Sequence, residues 1–229
     1  MRKEIMKAGR GAKVSAPRGA PSRPRERIVA SAQDLFHRRG IRGVGVDAIA
    51  EAAGTNKMTL YRHFGSKDDL IIEYLSYKGK KSDEIWAEVE AASPADPVGQ
   101  LRGFIRKVAK FIAEDERGCA LANAAVELTE NGHPGLHLIQ EFKVRQSDRV
   151  AALCRAAGAS QPDLLADALV LLIEGARVSR RSVGAVGPSA NFVRTCEAVI
   201  SSSGIRVSED QESPSQPRPA KGKTNRRRQ

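Results

Sequence analysis

Apolar residues recur every three or four positions along most of this chain, and strict apolar–polar alternation is nowhere sustained. The first such stripe is Ile28, Ala32, Leu35 and Phe36, which predicts a helix over about 25–39. Arg38 and Arg39 suit the negative end of its dipole, and Gly40 followed by Ile41 forms a C-terminal cap. Val46, Ile49, Ala50 and Ala53 are the buried stripe of a second helix, and Gly54 supplies a tight turn. Asn56 caps a third helix with Leu60 and Phe64 on one face. Ser66, with Asp69 in capping-box register, opens a fourth helix to about Ala92, roughly 40 Å long. Asp96 and Pro97 start a fifth, with a stripe of Leu101, Phe104, Val108 and Phe111. Gly118 begins a sixth, Pro134 a seventh that runs to Gly158, and Pro162 an eighth. Residues 184–188 separate that eighth helix from a ninth that ends by Gly204. The expected fold class is all-α, with about nine helices. A length of 229 residues and 4% aromatic content agree with helix-on-helix packing.

The third helix is too polar to be core. With Leu60 and Phe64 facing inward, Lys57, Met58, Thr59, Tyr61, Arg62 and His63 are left outside. Helix, glycine turn and short second helix over 46–64 are the layout of a helix-turn-helix, which lays its second helix in the DNA major groove. A plain helical hairpin of a bundle is the alternative, and the joint pattern weighs against it. Ala53-Gly-Thr-Asn-Lys-Met-Thr-Leu-Tyr-Arg-His-Phe64, continued by Gly-Ser-Lys-Asp-Asp-Leu70, closely resembles the DNA-binding domain of the tetracycline-repressor (TetR) family of bacterial transcription regulators. The resemblance is strong over about 25–70 and weaker over 118–128 and 166–175. It departs at Gly45, where family members usually carry Thr or Ser, so the cap and phosphate contact expected there are weakened. Lys57, Met58 and Thr59 fill the first turn of the recognition helix and are expected at base edges. The resemblance implies that Tyr61, His63 and Lys67 bind phosphates.

Charge divides unevenly. Residues 1–27 hold nine Lys and Arg against two acids, residues 205–229 seven against three, and the segment between them 22 of each sign. The net charge of +11 therefore sits wholly at the two ends. Both ends lack hydrophobic periodicity, so 1–24 and 205–229 are expected to be disordered basic segments that reach DNA phosphates or remain solvated. The Arg-rich start also resembles an organelle transit peptide, a reading set aside because the downstream resemblance is bacterial. No run approaches a membrane span, so no membrane partner is expected and the protein is expected in the bacterial cytoplasm. Cys119, Cys154 and Cys196 are widely spaced and expected to be reduced structural thiols rather than redox sensors.

The expected division is a DNA-binding domain over 25–70 and a helical effector-binding and dimerisation domain over 71–204. The eighth helix is apolar on most sides and needs neighbours on most sides. The resemblance implies that the last two helices pair with their symmetry mates. Leu165, Leu169, Leu172, Phe192, Cys196 and Val199 are the interface candidates. An effector pocket between helices, also implied by the resemblance, has Trp86, Phe104, Phe111, Asn123, Glu127, Phe142, Glu174 and Arg177 as candidates. Local surface pairing is the alternative for the polar members and plain core packing for the aromatic ones. His133, His137 and Glu141 invite a metal reading, but Pro134 puts His133 at the helix start rather than on its face, and no metal or cofactor is expected. A nucleophile elbow and a phosphate loop are both absent from the sequence, so enzymatic function is not expected. The sequence thus supports a homodimeric regulator of double-stranded DNA, a repressor released by an unidentified small-molecule effector. An effector-independent DNA-coating protein and, remotely, a small-molecule hydrolase remain as alternatives.

Overall fold

The computed structural model describes residues 23–115, 117–130 and 132–205. The two basic ends, apart from residues 23–24 and 205, lie outside the described residues. Every regular element within them is helical: α1 (Pro24–Arg39), α2 (Val46–Ala52), α3 (Lys57–His63), α4 (Lys67–Ala92), α5 (Pro97–Glu114), α6 (Ala120–Glu127), α7 (Pro134–Ala156), α8 (Pro162–Val183), a 3-10 turn (Pro188–Asn191) and α9 (Phe192–Ser202). The all-α reading stands.

The helix boundaries follow the capping residues. Asn56 Oδ1 accepts the Thr59 N–H at 2.8 Å, and Asp96 Oδ1 accepts that of Gly99 at 2.9 Å. Ser66 and Asp69 form the reciprocal box, at 3.1 and 3.0 Å. Gly45 gives α2 no side-chain cap, which bears out the weak cap expected of glycine there. The helix α6 starts two residues later than Gly118. That glycine takes a left-handed φ of 78° and Cys119 is extended, so both belong to the turn before the helix. The 3-10 turn before α9 was not expected; at four residues it is too short to leave a hydrophobic period.

The chain packs as two compact units, residues 23–83 with 117–143, and residues 84–115 with 144–205. Helices α4 and α7 contribute residues to both. In the first unit Ile28, Ala32 and Phe36 of α1, Ile49 of α2, Leu60 of α3, Leu70, Tyr74 and Leu75 of α4, and Leu121 of α6 form one buried cluster. In the second, Leu101, Ile105 and Val108 of α5, Val150 and Cys154 of α7, Leu169 and Ile173 of α8, and Cys196 and Ile200 of α9 form another. Burial raises the thiols of Cys154 and Cys196 to about 11, which keeps both protonated as small core residues.

Candidate nucleic-acid interface

The α2–α3 turn is fixed by backbone bonds before any side chain is considered. Ala53 N–H donates to Ile49 O at 2.9 Å, Thr55 N–H to Ala50 O at 2.9 Å, and Gly54 between them has a φ of 60°. Arg27 of α1 reaches across and donates Nε–H to Ala53 O at 2.9 Å. Leu60 is fully buried and Phe64 nearly so, which locks the rotation of α3 about its own axis. The Arg25 guanidinium lies 5.0 Å from the centroid of the Phe64 ring and pairs with Glu73 of α4 at 3.1 Å. A seven-residue helix would be marginal alone. Here its cap, its two anchors and α1 hold it.

The opposite face is open. Met58 is 80% exposed, Tyr61 40%, and Lys57, Arg62 and His63 are also exposed, with Thr59 half-buried. The Lys57 ammonium lies 3.3 Å from Asp47 on the first turn of α2. Lys67 at the start of α4 is half-buried. Burial lowers its pKa, and the neighbouring carboxylates of Asp68 and Glu127 oppose that shift.

Asn123 and Glu127 of α6 also belong to the first unit. Glu127 Oε2 accepts the backbone N–H of Arg42, in the α1–α2 loop, at 2.9 Å. It also crowds Gly40, where an added Cβ would come within 2.6 Å of Glu127 Oε1. Asn123 Nδ2 donates to Arg117 O at 2.8 Å, and the Arg117 guanidinium donates to the Arg38 carbonyl at the end of α1. The recess that Asn123 and Glu127 line with Phe36 and Tyr74 holds about 10 Å³, room for a water. A second recess, of about 150 Å³, has Arg42, Lys67, Glu127 and His133 in its wall. These contacts of α6 with the end of α1 and the α1–α2 loop were missed by sequence reading; the paired partners lie as many as 85 residues apart. Phe142 of α7 packs against Gly79 of α4.

The other effector-pocket candidates lie in the second unit. Trp86 stacks on Phe104 at 4.2 Å and 14°, with the Arg149 guanidinium 5.9 Å from its ring. The Trp86 Nε1–H is buried without an acceptor among the described residues. Phe111 is 44% exposed, and Arg177 pairs with Glu174 at 3.2 Å. Of the interface candidates, Leu165, Leu169, Phe192 and Cys196 are buried in the unit's own core. Leu172, Phe192 and Val199 border a groove of about 510 Å³ with Ala168, Leu171 and Gly175. Leu164, Leu171 and Val178 are exposed on α8 at intervals of seven residues, a second apolar stripe that sequence reading did not separate from the first.

His133 is structural. Its Nδ1 accepts the Gly135 N–H at 3.0 Å, and its buried Nε2 lies 3.5 Å from Asp68. No cluster of three metal-binding side chains occurs among the described residues, and no helix there is long and apolar enough to cross a membrane.

Residues 28–74 match the pattern of bacterial regulatory proteins of the tetR family. The crystal structure of a TetR-family transcriptional regulator from Streptomyces coelicolor superposes with a TM-score of 0.72 at 30% identity, over 80% of this chain and 91% of that one. The chain belongs to the TetR family. Transcriptional regulator AcuR of Cereibacter sphaeroides is 28% identical over 78% of this chain and 87% of its own. HTH-type transcriptional regulator AcrR of Shigella flexneri is 31% identical over 93 residues, and that match spans only 43% of AcrR. The protein is therefore a DNA-binding transcriptional regulator of the TetR family and not an enzyme.

Proposed function

We propose that this TetR-family protein is a homodimeric repressor that occupies a palindromic operator and is released by a small-molecule effector. The carrying observation is the recognition helix, whose anchors Leu60 and Phe64 are buried while Met58 beside them is 80% exposed. In this reading residues 25–70 are the DNA-binding domain and 71–204 the effector-binding and dimerisation domain. Lys57, Met58 and Thr59 face base edges, and Tyr61, Arg62, His63 and Lys67 face the backbone, where contacts position the protein without reading sequence.

One helix of seven residues covers too few base pairs for a specific site, so two copies are needed. The exposed stripe Leu164, Leu171 and Val178, with the groove between α8 and α9, supports pairing through that face. The Trp86 Nε1–H, which has no acceptor among the described residues, lies beside Phe104 and supports an effector that brings a hydrogen-bond acceptor to an aromatic wall. Such an effector releases DNA only if it binds the DNA-incompetent arrangement more tightly, by at least the coupling it exerts.

The test is binding of the purified protein to promoter fragments and to random duplex at one salt concentration, with a reporter placed behind the bound promoter. A specific fragment that binds as a two-fold complex and silences its reporter supports the reading. Equal affinity for all duplexes contradicts it and indicates a DNA-coating protein.

A further inference from the structure

Asp47 and Lys57 come from different helices of the reading head, yet their side chains meet. Lys57 is the first residue of α3 and Asp47 the second of α2, and Lys57 Nζ lies 3.3 Å from Asp47 Oδ2. Both side chains are open to solvent, Lys57 by half and Asp47 by three quarters. An ion pair this exposed adds almost nothing to stability. Asp47 is also an exposed acid, and an exposed carboxylate repels phosphates. It lies in the first turn of α2, where an acid suits the positive end of the helix dipole; its contact with Lys57 adds a second use, which is to decide what Lys57 touches.

A lysine is a point charge on a four-carbon stem with three rotatable donors, so a free one finds the nearest phosphate on any sequence. Phosphates are the stronger and more numerous acceptors, and they carry no sequence information. We propose that Asp47 is a specificity-determining residue that holds the Lys57 ammonium off the phosphates and on a guanine edge in the major groove. This rests on the reading of α3 as the recognition helix. The carboxylate holds the ammonium from one side, and the other donors of the ammonium remain for guanine O6 and N7. On random DNA the same carboxylate subtracts from the electrostatic attraction. Both effects raise the ratio of specific to non-specific binding, and Asp47 achieves them through Lys57.

The experiment uses the full chain and the variants Lys57→Ala, Asp47→Ala, Asp47→Asn and the double alanine variant. Each selects duplexes from a randomised pool, and each is titrated against its selected operator and against random duplex over a range of salt. Asp47→Ala is expected to lose base preference at the same half-site position as Lys57→Ala, and the double variant to lose no more. Freed Lys57 then engages a phosphate, which steepens the slope of log affinity against log salt by about 0.9 per subunit. It also raises affinity for random duplex by up to roughly tenfold per engaged subunit at 0.1 M salt. Asp47→Asn keeps an acceptor for Lys57 without the charge, so it should fall between wild type and Asp47→Ala. If Lys57→Ala broadens the preference and Asp47→Ala leaves preference and slope unchanged, the role given to Asp47 is wrong while α3 still reads bases. Loss at a position that Lys57→Ala does not affect would show Asp47 acting on its own, and would also overturn the proposal. If neither variant changes the preference, the reading of bases by Lys57 falls, and the role of Asp47 with it.

Discussion

Replacing Gly79 by Ala tests the packing of α4 on α7 through a competition between two effects of known size. In the interior of an open helix, glycine is about 1 kcal/mol less favourable than alanine, so the change alone would stabilise by about that amount. Gly79 is not open. An added Cβ would fall far inside van der Waals contact with three atoms of the Phe142 ring. Phe142 is itself packed against the core cluster of its unit, so the ring moves aside only by giving up contacts there. Inserting a methyl into a filled space costs about 1–3 kcal/mol. Crowding therefore wins, and Gly79→Ala should destabilise by about 1 kcal/mol net. In a Phe142→Ala background the ring is gone and the sign should invert, towards a gain of up to about 1 kcal/mol. The coupling between the two sites is then about 2 kcal/mol, within the range for residues in direct contact. Urea melts of the four proteins at one protein concentration measure it, since self-association would otherwise shift the midpoints. If Gly79→Ala stabilised both backgrounds equally, the close approach of α4 and α7 at this point would be refuted.

Asn56→Ala removes the only side-chain cap of the recognition helix and should cost about 1 kcal/mol, while Asn56→Asp keeps most of it, as compared by thermal melts with operator affinity as the second readout. Glu127→Ala should speed amide exchange at Arg42, whereas Glu127→Gln, which retains an oxygen acceptor, should not; equal exchange in the two would dismiss the α6 contact. At pH 8 a thiol reagent should modify partly exposed Cys119 in the native protein and reach Cys154 and Cys196 only on unfolding. Those two thiols ionise near 9 when unfolded and at about 11 when folded, so the folded state holds their protons more tightly. Their contribution to stability is complete below pH 9 and lost as the pH rises towards 11, which urea midpoints between pH 8 and 11 would follow.

The reading head was legible in the sequence because its signals are local. The Asn56 cap, the glycine at 54, and Leu60 and Phe64 four apart each act within one or two turns, and each acts as expected. What the sequence hid depends on approach across the chain. Glu127 and Asn123 share a helix face, which invites a local pair, yet one bonds Arg42 and the other Arg117. In the sequence Gly118 begins the sixth helix. Its left-handed backbone, which sequence does not display, moves the start to Ala120. On α8 two apolar stripes merge into one long apolar run, and only the packing separates inward Leu165 and Leu169 from outward Leu164 and Leu171. The ion pair of Asp47 with Lys57 likewise needs the angle between α2 and α3, which no periodicity encodes.

Selection of duplexes from a random pool by the purified full chain is the decisive measurement of sequence-specific recognition by a symmetric pair of reading heads. The expected result is enrichment of an inverted repeat with half-sites a fixed distance apart, bound at least roughly a thousandfold more tightly than random duplex at physiological salt. A pool that stays random after repeated rounds, or one that converges on a site without two-fold symmetry, would contradict it.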